Sequence, residues 1–220
     1  MDVKYGATGC LLLAACCAIG QRLPLKTFTV ADGLAHDEVN KIFRDSHGLL
    51  WFCTAEGLSR FDGYSFVTLG VTQGLPHSNV NDILETKDGD YWVATDGGLA
   101  RLHRDGTPAK KMFSVVLPDD PKPASKATSV LLGDGQGALW VGTWNGLYRL
   151  EERDGRFSLR PVDIGLINEF PEQRLIADLI EDRQHSLWIA TPAGLYRRWP
   201  DGSAKLYYTL NIKHVKRKYP

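Results

Sequence analysis

Cysteine is scarce in this 220-residue chain, and its distribution argues against a disulfide-stabilised fold. Cys10, Cys16 and Cys17 lie within the first 20 residues, which leaves Cys53 alone in the remainder. A single cysteine cannot form an internal disulfide bond. Cys53 occupies a position that small residues fill in the other copies of a repeat described below. We therefore expect a packing residue there rather than a nucleophile.

Long apolar runs are also missing, with one exception near the N-terminus. Residues 7–19 are mostly small or apolar, a length that suits a secretory signal and is too short to span a bilayer comfortably. Ala18-Ile19-Gly20 suits cleavage by a signal peptidase, whereas Leu13-Ala14-Ala15-Cys16 resembles a bacterial lipobox. The sequence thus predicts that residues 1–20 are a signal peptide or a lipoprotein leader, with an uncleaved anchor as a further alternative.

The chain has no excess of charge, since 26 basic side chains balance 26 acidic ones. Residues 211–220 hold four of the basic side chains and no acidic one, so residues 1–210 carry 22 basic against 26 acidic groups. A mildly acidic body argues against a nucleic-acid partner. We interpret residues 211–220 as a basic tail that is truncated or out of frame.

The dominant feature of the sequence is a fourfold repeat. Each copy reads Trp, an apolar residue, a small residue, Thr, two variable residues, Gly, Leu, one variable residue and Arg. The period is 41, 48 and 48 residues, which is typical of propeller blades or a solenoid. The copies begin at Trp51, Trp92, Trp140 and Trp188.

Each copy contains the elements of four short strands. An apolar pair precedes each Trp, and Asp45 to Gly48 suits a type I turn between the first two strands. A glycine three residues past each Thr stands where a two-residue hairpin needs positive φ. Four antiparallel strands in 40 to 50 residues make one propeller blade. The predicted fold is all-β, with about four four-stranded antiparallel blades over 39–79, 80–127, 128–174 and 175–210.

Residues 21–38 are interpreted as a leading strand and a connector. Lys26 to Val30 has the pattern of a strand, and Gly33 to Val39 matches Gly74 to Val80 at an offset of 41. This strand would close a blade whose other strands are not in the sequence, because the fourth copy already has its own fourth strand. We therefore expect a partial ring. A β-sandwich would not explain why chemically equivalent positions recur in all four copies.

The repeat resembles a known family. The Val-Asn-x-Ile, Asp-x-x-Gly and Leu-Trp-Phe-x-Thr-x-x-Gly-Leu-x-Arg-Phe-Asp-Gly elements of Val39 to Gly63, with Gly74-Leu75-Pro76-His77, look like the two-component regulator propeller repeat. The resemblance covers roughly residues 25–210. In that family such propellers form the periplasmic sensor region of membrane-bound histidine kinases, hybrid kinases or diguanylate cyclases.

The resemblance implies the N-terminal fragment of a bacterial sensor that is periplasmic or associated with the inner membrane. It implies a small-molecule ligand, with carbohydrate fragments as a common class, and no catalytic activity in this chain. The transmembrane helix and the output domains of the family are absent from the sequence. Membrane association would come from the lipobox-like leader or from a missing downstream helix, and the intact receptor would be able to dimerise.

Residues that depart from the repeat are the candidates for ligand binding. In a propeller, the hairpin between the second and third strands opens on the same face as the connectors, where ligands usually bind. Trp144 is the strongest candidate, because a tryptophan exposed in a turn can stack on a sugar. The alternative is that Trp144 packs against a neighbouring blade. The other predicted ligand-binding residues are Asn145, Glu56, Asp96, His36 and His77.

Two other function classes remain open, an exported enzyme acting on polysaccharide and a protein-interaction scaffold. The enzyme would use Glu56 and Asp96 as a carboxylate pair. However, the sequence contains no phosphate-binding glycine loop, serine elbow or kinase motif. His36 and His77 are equivalent connector residues without a ligand cluster around them. We therefore predict no catalytic residue, no metal site and no cofactor.

Overall fold

The computed structural model describes residues 25–103, 111–166 and 171–209, and four antiparallel four-stranded sheets make up most of this part. The first sheet contains β1 (Val39–Arg44), β2 (Leu50–Thr54), β3 (Gly57–Phe61) and β4 (Phe66–Leu69). The second contains β5 (Val80–Glu85), β6 (Tyr91–Thr95), β7 (Gly98–Leu102) and β8 (Phe113–Val116). The third contains β9 (Thr128–Gly133), β10 (Leu139–Thr143), β11 (Gly146–Arg153) and β12 (Arg156–Val162). The fourth contains β13 (Asp178–Glu181), β14 (Leu187–Thr191), β15 (Gly194–Arg198) and β16 (Ala204–Thr209).

Each sheet is a simple meander in which consecutive strands are neighbours. This confirms the predicted all-β fold with four-stranded antiparallel blades, and we number the blades from first to fourth. The connectors contain 3₁₀ turns at Val30–Asp32, Val71–Gln73 and Pro171–Arg174, and a short helix, α1 (Pro123–Lys126). Among the described residues, no helix has the length and apolar character needed to cross a membrane. The predicted leader and basic tail lie outside the described residues.

The strand predicted over Lys26 to Val30 is not formed, because residues 25–29 belong to no sheet and Val30 begins a 3₁₀ turn. The segment instead packs on the face of the first blade that carries Phe61 and Phe66. The Phe28 ring lies 5.0 Å from Phe61 and 5.5 Å from Phe66, measured between centroids. A strand forms only when it can hydrogen-bond to a neighbouring strand, and the described residues offer no such neighbour to residues 25–29. The segment is therefore held by its apolar contacts with the first blade.

The hairpin between the second and third strands is built in the same way in every blade. The Thr54 hydroxyl donates to the carbonyl of Gly57 at 2.8 Å, and the Thr of each other blade repeats this bond at 2.8 or 2.9 Å. The predicted positive φ of the hairpin glycines is confirmed, with values from 123° to 146°. The repeated Thr and Gly thus have a structural role in the turn.

The first turn of a blade is held by its Asp in three of the four copies. In the first blade, Asp45 accepts from the Trp51 indole N–H and from the backbone amides of His47 and Leu49, each at 2.9 Å. The indoles of Trp140 and Trp188 donate to Asp134 and Asp182 at the same distance. The repeated Asp and Trp therefore lock the turn to the second strand.

Neighbouring blades are joined by apolar clusters and by a hydrogen-bond ladder along their first strands. Three clusters of buried side chains fill the three spaces between consecutive blades. Asn40 donates to the carbonyl of Val80 in the next blade at 2.8 Å. Asn81 and Ser129 make the equivalent bonds to Thr128 and Ile176 at 2.8 and 2.6 Å. One polar side chain at each of these three interfaces thus fixes the register between blades.

Cys53 lies in the first of these clusters and is fully buried, which supports its interpretation as a packing residue. Burial raises the pKa of its thiol well above the usual range, and the nearby Asp82 carboxylate raises it further. A thiol in this state is a poor nucleophile.

We predict that Asp45→Asn lowers the free energy of unfolding at pH 7 by about 1–3 kcal/mol, because it removes the charge that accepts several buried hydrogen bonds. Burial raises the pKa of Asp45, but the bonds from Trp51, Leu49 and Tyr91 outweigh it and hold the pKa below its usual range. A lowered pKa stabilises the fold above the unfolded-state pKa of about 3.9 and loses that effect as the pH falls through the folded-state value.

The measurement is urea unfolding, followed by tryptophan fluorescence at pH 7 and pH 3. The difference between wild type and Asp45→Asn should shrink at the lower pH. Asp88→Asn, in the exposed turn of the second blade, is the matched control and should leave the urea midpoint unchanged. Equal midpoints for wild type and Asp45→Asn at both pH values would contradict the role assigned to Asp45.

Candidate ligand-binding face

The hairpins between second and third strands lie against the connectors, and together they form what we call the connector face. The backbone amide of Asp96 donates to the carbonyl of Asn79 at 3.4 Å, and that of Trp144 donates to Ala127 at 3.0 Å. The hairpin of the first blade makes the equivalent bond, from Ala55 to Glu38. All six residues predicted to bind ligand therefore belong to this face.

His36 and His77 have the same local role in successive connectors. The Nδ1 atom of His36 accepts from the backbone amide of Glu38 at 3.0 Å, and that of His77 accepts from Asn79 at the same distance. Each imidazole closes its own turn. Within the described ranges, no group of three or more His, Cys, Asp or Glu side chains is placed to hold a metal ion.

Asp96 is part of a row of hydrogen-bonded polar side chains near the start of β1 and β5. We call this row the amide row, and it consists of Asn40, Asn79, Asn81 and Asp96. The two carboxylate oxygens of Asp96 accept from the side-chain amides of Asn79 and Asn81 at 2.9 and 2.8 Å. The side-chain amide of Asn40 in the first blade donates to Oδ1 of Asn79 at 3.0 Å, which extends the row across two blades. Glu56 stands exposed on the hairpin of the first blade. Asp96, which the enzyme hypothesis pairs with Glu56, thus has its carboxylate bound to two side-chain amides.

Trp144 stands at the end of the amide row. Its backbone amide donates to Ala127, and the carbonyl of the adjacent residue, Thr128, accepts from Asn81. The side chain of Trp144 is 52 % exposed, although large apolar side chains are usually buried. About half of the ring is therefore open to solvent. The connector face presents a half-exposed indole on a hairpin whose backbone adjoins the strand that Asn81 contacts.

Asn145 is buried and joins two connectors to the third blade. Its amide nitrogen donates to Asp120 at 3.1 Å and to the Ser125 hydroxyl at 2.8 Å, while its oxygen accepts from Arg174 Nε at 2.8 Å. Asn145 lines a cleft of about 340 Å³ together with Asp120, Lys122 and Arg174. It is therefore a structural residue at the edge of a cleft, with its side-chain amide already bound by the protein.

Asp120, Ser125 and Arg174 were not among the predicted site residues. They lie in the connectors before the third and fourth blades, which lack the Gly-Leu-Pro-His pattern. The amide of Lys122 and the hydroxyl of Ser125 hold the pKa of Asp120 below its usual range, and this carboxylate lines the same cleft as Arg174. The departure of these connectors from the repeat was the feature that could have indicated them.

We predict that Asn145→Ala lowers the free energy of unfolding by about 1–3 kcal/mol, because it leaves buried partners without their hydrogen bonds. Trp144→Ala, one residue away in the same hairpin, should change stability by less than about 0.5 kcal/mol because its ring is half exposed. Urea unfolding of both variants measures the difference. A larger loss for Trp144→Ala than for Asn145→Ala would reverse the roles assigned to the two side chains.

Comparison with known proteins gives a match to one family model, described as two component regulator propeller, over residues 74–97. These residues contain one connector, β5, β6 and the hairpin that follows them. No curated protein matches the sequence.

Several solved structures resemble the fold. One is the extracellular domain of a protein assigned as a hybrid two component system from B. thetaiotaomicron, with 24% identity and a TM-score of 0.66, over 83% of this chain and 26% of that chain. A second is the extracellular domain of a protein assigned as a one component system from B. thetaiotaomicron, with 19% identity and a TM-score of 0.66, over 86% of this chain and 28% of that one. Virginiamycin B lyase from Staphylococcus aureus has 17% identity and a TM-score of 0.55, over 74% of this chain and 53% of that one.

The chain thus spans about a quarter of the length of the first two structures. At these identities the likeness shows the fold, and the family model adds the type of repeat. The chain has a β-propeller fold, and residues 74–97 match the two component regulator propeller repeat.

Proposed function

We propose that this chain is the ligand-binding propeller part of an exported bacterial two-component sensor, and that its ligand is a carbohydrate fragment bound on the connector face. The observation that carries the proposal is the half-exposed side chain of Trp144 on a hairpin whose backbone adjoins the strand that the amide row contacts. An exposed aromatic ring with convergent polar groups is a common arrangement in small-ligand sites.

The two parts of this surface have complementary functions in binding a sugar. The apolar face of a pyranose ring stacks on the Trp144 indole, which offers a large rigid surface. The hydroxyl groups of the sugar need donors and acceptors nearby. A carboxylate has about four lone-pair sites, and Asp96 uses two of them for Asn79 and Asn81, so it retains acceptor capacity.

The sensor assignment is supported by the repeat type and by the extracellular domains that share the fold. In this proposal the intact receptor carries a transmembrane helix and a kinase or cyclase output outside this chain. The chain then reaches the periplasm through its leader or is held at the inner membrane, and it contributes binding rather than catalysis. Dimerisation would belong to the intact receptor.

The polysaccharide enzyme receives less support from the same geometry, although a lyase shares the fold. Such an enzyme needs a carboxylate pair with separated roles. Asp96 is bound to two amides, and Glu56 is exposed on another blade. We therefore favour a binding module.

The proposal predicts that at least one member of a panel of plant and microbial oligosaccharides binds the full chain, and that Trp144→Ala weakens this binding about tenfold. Loss of an aromatic stacking contact costs about 0.5–1.5 kcal/mol, and the buried apolar surface is lost in addition. Isothermal titration calorimetry measures the affinities, and circular dichroism confirms that the variant is folded.

Trp199→Ala is the matched control, because Trp199 lies in the turn between β15 and β16, away from the connector face. It should retain wild-type affinity. Absence of binding across the panel, or equal affinity for Trp144→Ala and wild type, would exclude the carbohydrate site at this position.

A further inference from the structure

The two inner blades are covered on both faces, whereas each terminal blade leaves one face open. In the second and third blades, every residue of the second strand is buried, over Tyr91–Thr95 and Leu139–Thr143. Successive side chains of a strand point to opposite faces of the sheet, so a neighbouring blade covers each side of these strands. Among the described residues, the first and fourth blades have a neighbouring blade on one side only.

The open face of the first blade is apolar, and we call it the head face. It consists of Ile42, Leu50 and Phe52. Ile42 is 60% exposed, and its cross-strand partner Phe52 is only partly buried. The ring of Phe28 lies against β3 and β4 of this blade, and the head face on β1 and β2 stays open.

The open face of the fourth blade is the opposite one, and we call it the tail face. It consists of Ile180, Trp188, Ala190 and Tyr207. Ile180 is 64% exposed and Tyr207 is 61% exposed, and the Tyr207 ring lies 5.0 Å from Trp188 between centroids. Along β14, Trp188 and Ala190 are only partly buried, whereas the equivalent Trp and small residue of the first blade are buried. The head face and the tail face are therefore the two different sides of a blade.

The inner interfaces show how these two sides fit together. At the first two interfaces, a Trp and a small residue of one blade pack with two apolar residues of the next blade. The groups are Trp51 and Cys53 with Ile83 and Val93, and Trp92 and Ala94 with Leu131 and Val141. The tail face offers the Trp and the small residue as Trp188 and Ala190. The head face offers the two apolar residues as Ile42 and Phe52, which are paired across β1 and β2 as Ile83 and Val93 are across β5 and β6.

A charged pair also crosses the first interface. The Lys41 ammonium of the first blade lies 2.9 Å from Asp82 Oδ1 in the second blade. The other oxygen of Asp82 accepts from the backbone amide of Leu131 in the third blade at 3.0 Å. Asp82 thus bonds to both of its neighbouring blades.

Asp178 stands in the fourth blade where Asp82 stands in the second. Each is paired with the small residue of the second strand and accepts from the backbone amide that follows it. Asp178 is exposed, and within the described ranges its side chain bonds to no other blade. A first blade placed next to it would present Lys41, with the opposite charge, and the backbone amide of Ile42. Ala177 has no side-chain donor for the ladder along the first strands, so Asp178 is the polar residue available for this contact.

We propose that the tail face of one copy of this chain binds the head face of a second copy. The partner is a second copy because one chain carries both sides of the interface, with matching apolar residues and opposite charges. The contact joins two different surfaces, so it is heterologous. Two copies cover all four open faces if the ring closes, and the eight blades lie within the range of known propellers. The proposal is independent of the carbohydrate site.

The test is sedimentation velocity of the full chain at micromolar concentrations, where we expect a dimer. Ile42→Asp on the head face and Ile180→Asp on the tail face should each give a monomer, because each places an unpaired charge in the contact. Both side chains are more than half exposed, so both variants should fold, and circular dichroism checks this.

An equimolar mixture of Ile42→Asp and Ile180→Asp gives the sharpest result. The intact tail face of the first variant can bind the intact head face of the second, so the mixture should form a one-to-one dimer although each variant alone is a monomer. Association through identical faces, or through unspecific apolar contacts, does not produce this pattern.

Tyr64→Asp is the matched control, because Tyr64 is 94% exposed in the turn between β3 and β4 and belongs to neither face. It should sediment as wild type does. The proposal is overturned if wild type is a monomer at all concentrations, if Ile42→Asp and Ile180→Asp assemble like wild type, or if their mixture remains monomeric.

Discussion

Burial of each blade by its neighbours is the constraint on which the rest of this structure depends. Ile83, Leu131 and Leu179 are at most 7% exposed because they face the preceding blade, whereas the equivalent Ile42 of the first blade is 60% exposed. At the other end, Ile180 is 64% exposed. In a repeat architecture, stability is the sum of blade terms and interface terms. The two terminal blades each lack one of those interface terms in the part described.

Features that depend on one blade were predictable from the sequence, since a strand, a turn and a hairpin are determined by residues close together in the chain. The turn from Asp45 to Gly48 and the positive φ of the hairpin glycines belong to this class. The segment from Lys26 to Val30 is not a strand among the described residues for the opposite reason. Its sequence matches an outer strand, but strand formation depends on a sheet edge that the described residues do not provide.

The candidate site was predictable as a region but not residue by residue. The departure of Trp144 and Asn145 from the repeat pointed to a hairpin that the structure places on the connector face. The pattern could not show that one of these side chains is exposed and the other buried, because that difference depends on Asp120, Ser125 and Arg174. Those three residues come from connectors that follow no common pattern, and their positions are set by tertiary contacts.

Repeated residues and variable residues have different roles in this molecule. The repeated Thr, Asp and Trp side chains bond within the blade, and the repeated Gly supplies the carbonyl that accepts from Thr, so their positions are the same from blade to blade. The surroundings of such a fixed position can then change with little effect on the fold. Arg101 pairs with Asp90, whereas Leu49 and Ala138 stand at the equivalent positions of the first and third blades. The hairpin position of Ala55 and Asp96 holds an exposed indole at Trp144. We therefore propose that ligand binding arises where a single blade departs from the repeat, on a backbone that the repeat keeps unchanged.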